Sequence, residues 1–235
     1  MRSSWNLNDR GVGGTSRKGA VPTFLFDLDG TLTEPFIGIT SSVQYALKGL
    51  GAPVPEADEL RFTIGPPLGK SFEILLNTAE KAVIDEAVRL YRERYAKVGL
   101  YENYVYDGIP ELLTTLRNAG HVLFVCTSKL RPVAEQVLEH FKLAPFFSKV
   151  YGSEADGRFE GKVELLAHLL DQQSVDPNGA VMIGDRMHDL IAARENGVRS
   201  IAVMWGHGSR EELEMHKPWQ IVETPVQLGD VLAVA

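Results

Sequence analysis

From Val21 onward, short apolar runs of strand length alternate with stretches whose apolar residues keep helical spacing. No other feature narrows the possible folds so far. The runs are "TFLFDLD", "HVLFVCTS", "KVYGSE", "AVMIGD", "SIAVMW" and "QIVE", and between them lie "IPELLTTLRNAG", "RPVAEQVLEHFKL", "KVELLAHLL", "DLIAARENG" and "SREELEMH". Strands that are apolar on both faces and joined through helices are parallel strands covered by helices on both sides. Several of the helical stretches exit at Gly or a polar turn, as helices commonly do. The alternation predicts an α/β fold with a doubly wound parallel sheet.

Residues 35–105 break the alternation, since nearly all of this segment carries helical signals. In "SSVQYALKGLG" the residues Val43, Leu47 and Leu50 keep helical spacing after Ser41 and Ser42, which are N-cap types. "KAVIDEAVRLYRERYAKVG" does the same through Val83, Ile84, Ala87, Val88, Tyr91 and Tyr95. Between them Gly65, Pro66 and Pro67 force a stiff elbow. The expected organisation is an inserted small α-helical domain over 35–105, a core domain from 21–34 and 106–235, and a flexible leader over 1–20.

Composition excludes several classes of function. Hydrophobic residues make up 44% and charged residues 23%, the balance of a folded soluble domain, not of a disordered one. A net charge of −7 with no basic stripe argues against a nucleic-acid partner. The single cysteine, Cys126, forbids an internal disulfide and a cysteine-based zinc cluster and fits a reducing compartment. No apolar run reaches the ~18 to 20 residues of a membrane span, and residues 1–20 hold no segment of the signal-peptide type. The expectation is a cytoplasmic monomer or homodimer with no membrane partner.

Ligands of open α/β sheets bind beyond the carboxyl ends of the strands, and four such ends carry polar residues. The first holds Asp27 and Asp29, which an extended backbone would point the same way. Like charges that close call for a cation between them or a proton on one. The ordinary alternative is one Asp capping the turn "DGT" beside a solvated neighbour. The second end offers Thr127, Ser128 and turn amides suited to an anion, although strands often stop at such residues for no chemical reason. The third, Lys162, opens a helix, the wrong end for a cation unless an anion such as phosphate joins it. The fourth holds Asp185 and Asp189 around a helix start, where carboxylates suit the dipole and hard oxygens suit Mg²⁺. Here the plain alternative is an N-cap with a surface acid. Taken together, the four ends describe a site for a metal and a phosphate.

"DLDGT" at Asp27 to Thr31, the hydroxyl of Thr127, Lys162 and "GDRMHD" at Gly184 to Asp189 resemble, in order, the four motifs of the haloacid dehalogenase-like (HAD) superfamily. The likeness spans about residues 21–232. The insert is similar to that superfamily's small helical cap, and "GITSSVQYAL", "IGPPL", "YENYVY" and "HGSREEL" look like its phosphoglycolate phosphatase and 5′-nucleotidase branch. The resemblance implies a Rossmann-like core and a Mg²⁺-dependent phosphatase of small phosphate monoesters. It makes Asp27 the nucleophile that forms an aspartyl-phosphate and Asp29 the acid and base, with Thr127 and Lys162 holding phosphoryl oxygens. Metal ligation falls to Asp27, Asp29 through its carbonyl, Asp185 and Asp189. Gly30, Thr31 and Ser128 would bind phosphate, and Gly65, Pro66 and Lys70 of the cap loop would read the leaving group.

Other classes compete. A signalling receiver shares the acid cluster but lacks the second Asp and the helical insert. A cysteine phosphatase would use Cys126 and Arg131, yet "CTSKLR" has one residue too few to close its loop. A phosphomutase, or a binder that has kept the pocket, would share every feature above.

Overall fold

The computed structural model describes residues 22–233, and the leader expected over 1–20 lies outside them. In chain order, strand β1 (Thr23–Phe26) leads through the two-residue strand β2 (Thr33–Glu34) into helix α1 (Phe36–Gly49), a 3₁₀ segment (Ala57–Thr63), α2 (Leu68–Leu76) and α3 (Lys81–Lys97). The chain returns through β3 (Tyr104–Val105). It then alternates: α4 (Ile109–Asn118), β4 (Val122–Leu130), α5 (Arg131–His140), β5 (Lys149–Ser153), α6 (Lys162–Gln173), β6 (Ala180–Gly184), α7 (Met187–Glu195), β7 (Arg199–Val203), α8 (Arg210–Met215), β8 (Gln220–Val222) and α9 (Pro225–Leu232).

Six strands form one parallel sheet in the order β5-β4-β1-β6-β7-β8. The α/β reading holds, and the order explains where a site can form. From β1 the chain builds outward on one side through β4 and β5, then crosses back to build outward on the other through β6, β7 and β8. The reversal puts a crevice at the carboxyl ends of β1, β4 and β6.

Side-chain alternation sorts the core into two layers. Phe24 and Phe26 of β1, with Leu123, Val125, Val181 and Ile183 of its neighbours, face one way and pack with Leu113, Val137 and Leu228 of α4, α5 and α9. Leu25, Phe124, Cys126 and Met182 face the other way against Leu165, Leu169, Ala192 and Ala193 of α6 and α7. Period two along each strand makes both layers unavoidable once helices cover both faces. Helix α9 was not anticipated; its eight residues contain Pro225 and Gly229, which dilute the helical signal.

Two expectations about the first strand and the insert need correction. The strand ends at Phe26, not at Asp29, so Asp27 and Asp29 sit in the turn beyond it and extended geometry does not align them. There Leu28 turns the chain by accepting from the amides of Leu32 (2.9 Å) and Thr33 (3.0 Å). Ser41 and Ser42 are not caps but lie inside α1, which starts at Phe36. The Glu34 carboxylate accepts the Phe36 amide at 2.8 Å and serves the first turn, so the helix begins earlier than its serines suggest. Ser42 donates back to the Gly38 carbonyl at 2.6 Å.

Where the chain leaves and re-enters the sheet region, β2 and β3 pair antiparallel, Thr33 with Val105 and Glu34 with Tyr104. Two residues per strand are too few to leave a pattern in the sequence. Beyond this ribbon α1 packs on α3, and one apolar cluster runs without a break from Phe26, Leu28 and Leu32 through Ile39, Val43 and Leu60 to Phe72 and Tyr91.

Gly38 sets how closely α1 meets the turn after α3: a Cβ there would stand 2.1 Å from the Gly99 carbonyl oxygen. Gly38→Ala is expected to lower the urea unfolding free energy by about 1–3 kcal/mol, the usual cost of overpacking. Gly179→Ala, where nothing lies within 4 Å of the added Cβ, should stay within about 0.5 kcal/mol of wild type.

Candidate active site

The sheet delivers four charged groups to one buried point. Asp27 follows β1 directly, and its amide continues the ladder by donating to Ile183 at 2.9 Å. Asp185 follows β6, Asp189 lies in the first turn of α7, and Lys162 opens α6. Carboxylate oxygens of Asp27, Asp185 and Asp189 lie within 4.8 Å of one another, all buried. Between them the Lys162 ammonium stands 2.9 Å from Asp27 Oδ1 and pairs with Asp189 Oδ1. Asp185 is held on both sides, by the His207 amide at 2.7 Å and the Thr31 hydroxyl at 3.4 Å, while Asp189 Oδ2 accepts the Arg186 amide at 3.1 Å. Two glycines make this packing possible: a Cβ on Gly184 would lie 2.1 Å from Asp189 Cγ, and one on Gly30 would lie 2.2 Å from Asp185 Oδ2. Gly30 also turns with φ +83°, which favours glycine on its own account.

The charges do not balance. Burial, reinforced by the charges of Asp189 and Asp27, pushes the Asp185 carboxyl well above the usual carboxylate range. Burial also raises Asp189, to about 6, despite its contact with Lys162. Burial alone would lower Lys162, but Asp189 and Asp27 outweigh it and keep the ammonium charged. Asp27 Oδ1 is buried with the Lys162 ammonium as its charged neighbour. Three converging hard oxygen donors and a surplus of negative charge fit a divalent cation of the Mg²⁺ type. Asp29 contributes no side-chain oxygen to this group.

The carboxylate of Asp29 turns instead to Lys129, whose Nζ is 2.5 Å from its Oδ2. Asp29 Oδ1 is buried without a hydrogen bond. Both residues line a cleft of about 610 Å³ between the end of the sheet and the helical segment, together with Asp27, Thr127 and Ser128. Thr127 is buried and accepts the Lys129 amide at 3.3 Å. Gly65 and Pro66 of the elbow also line the cleft, and α3 contributes Tyr91 and Tyr95.

Three expected positions land elsewhere. Lys70 is not among the residues that line the cleft; it is exposed and pairs at 2.8 Å with Glu73, which does line it, because α2 starts at Leu68 and sets the two one turn apart. Gly30 and Thr31 do not line the cleft; they pack behind it against Asp185. Cys126 is fully buried in the layer under the sheet, and burial pushes its thiol up to about 12, which removes the cysteine-nucleophile alternative.

Sequence reasoning missed two residues at the site. Lys129 did carry a signal, since it follows Thr127 by two at the carboxyl end of β4, and both line the cleft although the pairing with β5 is irregular there. Arg186 carried none. Its guanidinium donates to the Ile64 carbonyl of the elbow at 2.5 Å and to Glu212 at 3.0 Å, and only the tertiary fold brings these together. His207 serves Asp185 through its amide and sets Nε2 3.3 Å from Glu34.

Residues 24–203 match the sequence model of a family described as haloacid dehalogenase-like hydrolase. A 5′-nucleotidase of Pseudomonas aeruginosa is 49% identical over 90% of this chain and 95% of its own length. A tyrosine-protein kinase, PtkA, of Mycobacterium tuberculosis is 40% identical over 81% of this chain and 64% of its own. Among solved structures, a protein from Clostridium acetobutylicum described as a predicted phosphatase superposes with a TM-score of 0.88 at 38% identity, covering 92% of this chain and all of that one.

A bound divalent cation should stabilise the fold, by about 2.7 kcal/mol at a hundred times its dissociation constant, so thermal unfolding with MgCl₂ against chelator should show a rise in Tm. Asp185→Asn should abolish that rise and stabilise the chelated protein. The pH dependence follows from the raised Asp185 carboxyl. Above about pH 4 the unfolded chain has released a proton that the folded chain still holds, so stability falls as pH rises. Wild type should therefore lose ground to Asp185→Asn as pH increases in chelator; a constant gap would count against the assignment.

Proposed function

Since this chain belongs to the haloacid dehalogenase-like hydrolase family and acts on phosphoric monoesters, we propose that it hydrolyses a small ester of the phosphoglycolate or 5′-nucleotide kind through an aspartyl-phosphate on Asp27. The observation that carries this reading is the Asp27 carboxylate, which lines the cleft at the end of the central strand and is paired with the Lys162 ammonium at 2.9 Å. A carboxylate ionised at neutral pH attacks phosphorus without a base to activate it. Mg²⁺ held by Asp27, Asp185 and Asp189, with the Asp29 carbonyl, would supply the charge neutralisation that an anionic nucleophile needs against a phosphate dianion.

The remaining work falls to side chains of this chain. Lys162 orients Asp27 and offers its positive charge to the phosphoryl oxygens, which Thr127 and the amides near Ser128 hold from the other side. Asp29 donates a proton to the departing alkoxide, then takes one from the water that attacks the aspartyl-phosphate. The pairing of its Oδ2 with Lys129 leaves Oδ1 for that exchange. Residues 35–105 act as the cap domain over a core formed by 21–34 and 106–235. The Gly65–Pro66 elbow meets the leaving group, and closure keeps bulk water away during transfer. A reducing, cytoplasmic setting suits the lone buried thiol.

A panel of phosphate monoesters assayed with and without MgCl₂ is expected to show metal-dependent phosphate release from wild type. Asp27→Asn should release none while keeping a wild-type circular dichroism spectrum, and activity near wild type would sink the mechanism. Asp29→Ala should slow alkyl esters by about 10²- to 10⁴-fold. It should slow p-nitrophenyl phosphate far less, because that leaving group departs without a proton.

A further inference from the structure

Phosphoryl transfer as described gives Lys129 no task beyond holding Asp29, yet this ammonium is built into the cleft with care. Its side chain is 8% exposed, its Nζ lies 2.5 Å from Asp29 Oδ2, and it stands over the ring of Tyr95, 4.8 Å from the centroid. An ammonium has three donors, and among the described residues only the Asp29 carboxylate accepts one. The Tyr95 hydroxyl is buried beside the Lys129 ammonium and, among the described residues, makes no hydrogen bond of regular geometry. Asp29 Oδ1 is the third unused polar atom. All three residues line the cleft. Unused buried polar groups are costly, so the cleft is made for a ligand that satisfies them.

The same wall restricts what that ligand can be. Tyr91 stacks on Tyr95 at 5.4 Å and 10°, and the Lys129 ammonium also lies over the Tyr95 ring, so that ring is already engaged on this wall. Recognition here is by hydrogen bonds. The oxygen that Asp29 protonates is the ester oxygen, and Lys129 is one hydrogen bond from the same carboxylate. An acceptor for Lys129 must therefore sit close to the ester oxygen on the leaving group, and an oxygen on the adjacent carbon meets that condition.

Building on the phosphatase reading, we propose that Lys129, assisted by Tyr95, is a specificity-determining residue that selects phosphate esters with the pattern P–O–C–C–O, an oxygen acceptor on the carbon next to the ester carbon. A carboxylate, a hydroxyl and a sugar-ring ether all supply it. The class thus includes 2-phosphooxy acids and sugar 5-phosphates under one recognition rule and disfavours plain alkyl phosphates.

The test compares 2-methoxyethyl phosphate with n-butyl phosphate, which differ by one oxygen in place of a methylene, in the presence of MgCl₂. Wild type is expected to favour the ether ester by roughly tenfold or more in kcat/KM, the scale of a hydrogen bond to a charged group. Lys129→Met should bring the ratio near one, mainly by losing the ether ester. Lys129→Gln, which keeps a donor, should retain part of the preference, and Tyr95→Phe should reduce it. Should Lys129→Met fail to fold, the wild-type ratio with the other two variants decides. A wild-type ratio near one overturns the inference, as does a parallel loss on both esters in Lys129→Met, which is what a purely structural role would produce. Phosphate release from the wider panel without preference for the ether ester leaves the hydrolase standing and removes this inference; no release from any ester removes both.

Discussion

Three carboxylates buried beside one ammonium dominate this molecule. Asp27, Asp185 and Asp189 converge within 4.8 Å with only Lys162 among them, and much of the nearby backbone exists to keep them there. The His207 amide and the Thr31 hydroxyl fix Asp185, the Arg186 amide fixes Asp189, and Gly30 and Gly184 provide the space. Such a cluster is unfavourable by itself, because burial penalises each charge and the charges repel one another. A cation held among the three carboxylates would offset that cost.

The helical insert is tied to this cluster through the loops that form it. Arg186, in the loop between Asp185 and Asp189, reaches the Ile64 carbonyl next to the elbow. His207, whose amide holds Asp185, lies against Glu34 at the root of the insert, and Glu34 also accepts the Tyr106 hydroxyl at 2.6 Å and starts α1. Lys129 connects Asp29 to Tyr95 of α3. Each link joins a residue at or beside the carboxylate cluster to the helical insert or its root. Shared hydrogen bonds over a continuous apolar cluster give coupling between the two a physical route.

The site was legible in proportion to how locally each residue is determined. Asp27, Asp185 and Lys162 each adjoin a strand or open a helix, so periodicity alone put them at the sheet's edge. Lys129 could have been found by extending β4 two residues past Thr127. Lys70 misled because a lysine near a Gly-Pro-Pro elbow looks placed for an anion, whereas the phase of α2 aims it at Glu73. Gly30 and Thr31 misled in another way: they do belong to the site, but behind Asp185 and off the cleft. The start of α1 was misplaced because Ser41 and Ser42 are good caps in isolation, while the carboxylate that serves the first turn belongs to a strand paired across the insert.

What the sequence by itself determined is the alternation of strands and helices, the helical character of the insert and the identity of the acids at the strand ends. Side-chain period and local capping chemistry are properties of neighbouring residues, and they survive without knowledge of the fold. Only the tertiary structure decided which oxygens converge, that Asp29 faces Lys129 apart from the other three carboxylates, and which atoms are left buried without partners. Those facts depend on residues as distant in sequence as Asp29 and Lys129, or Ile64 and Arg186, whose meeting is set by sheet order and by the packing of the insert. No local pattern records a distance between them.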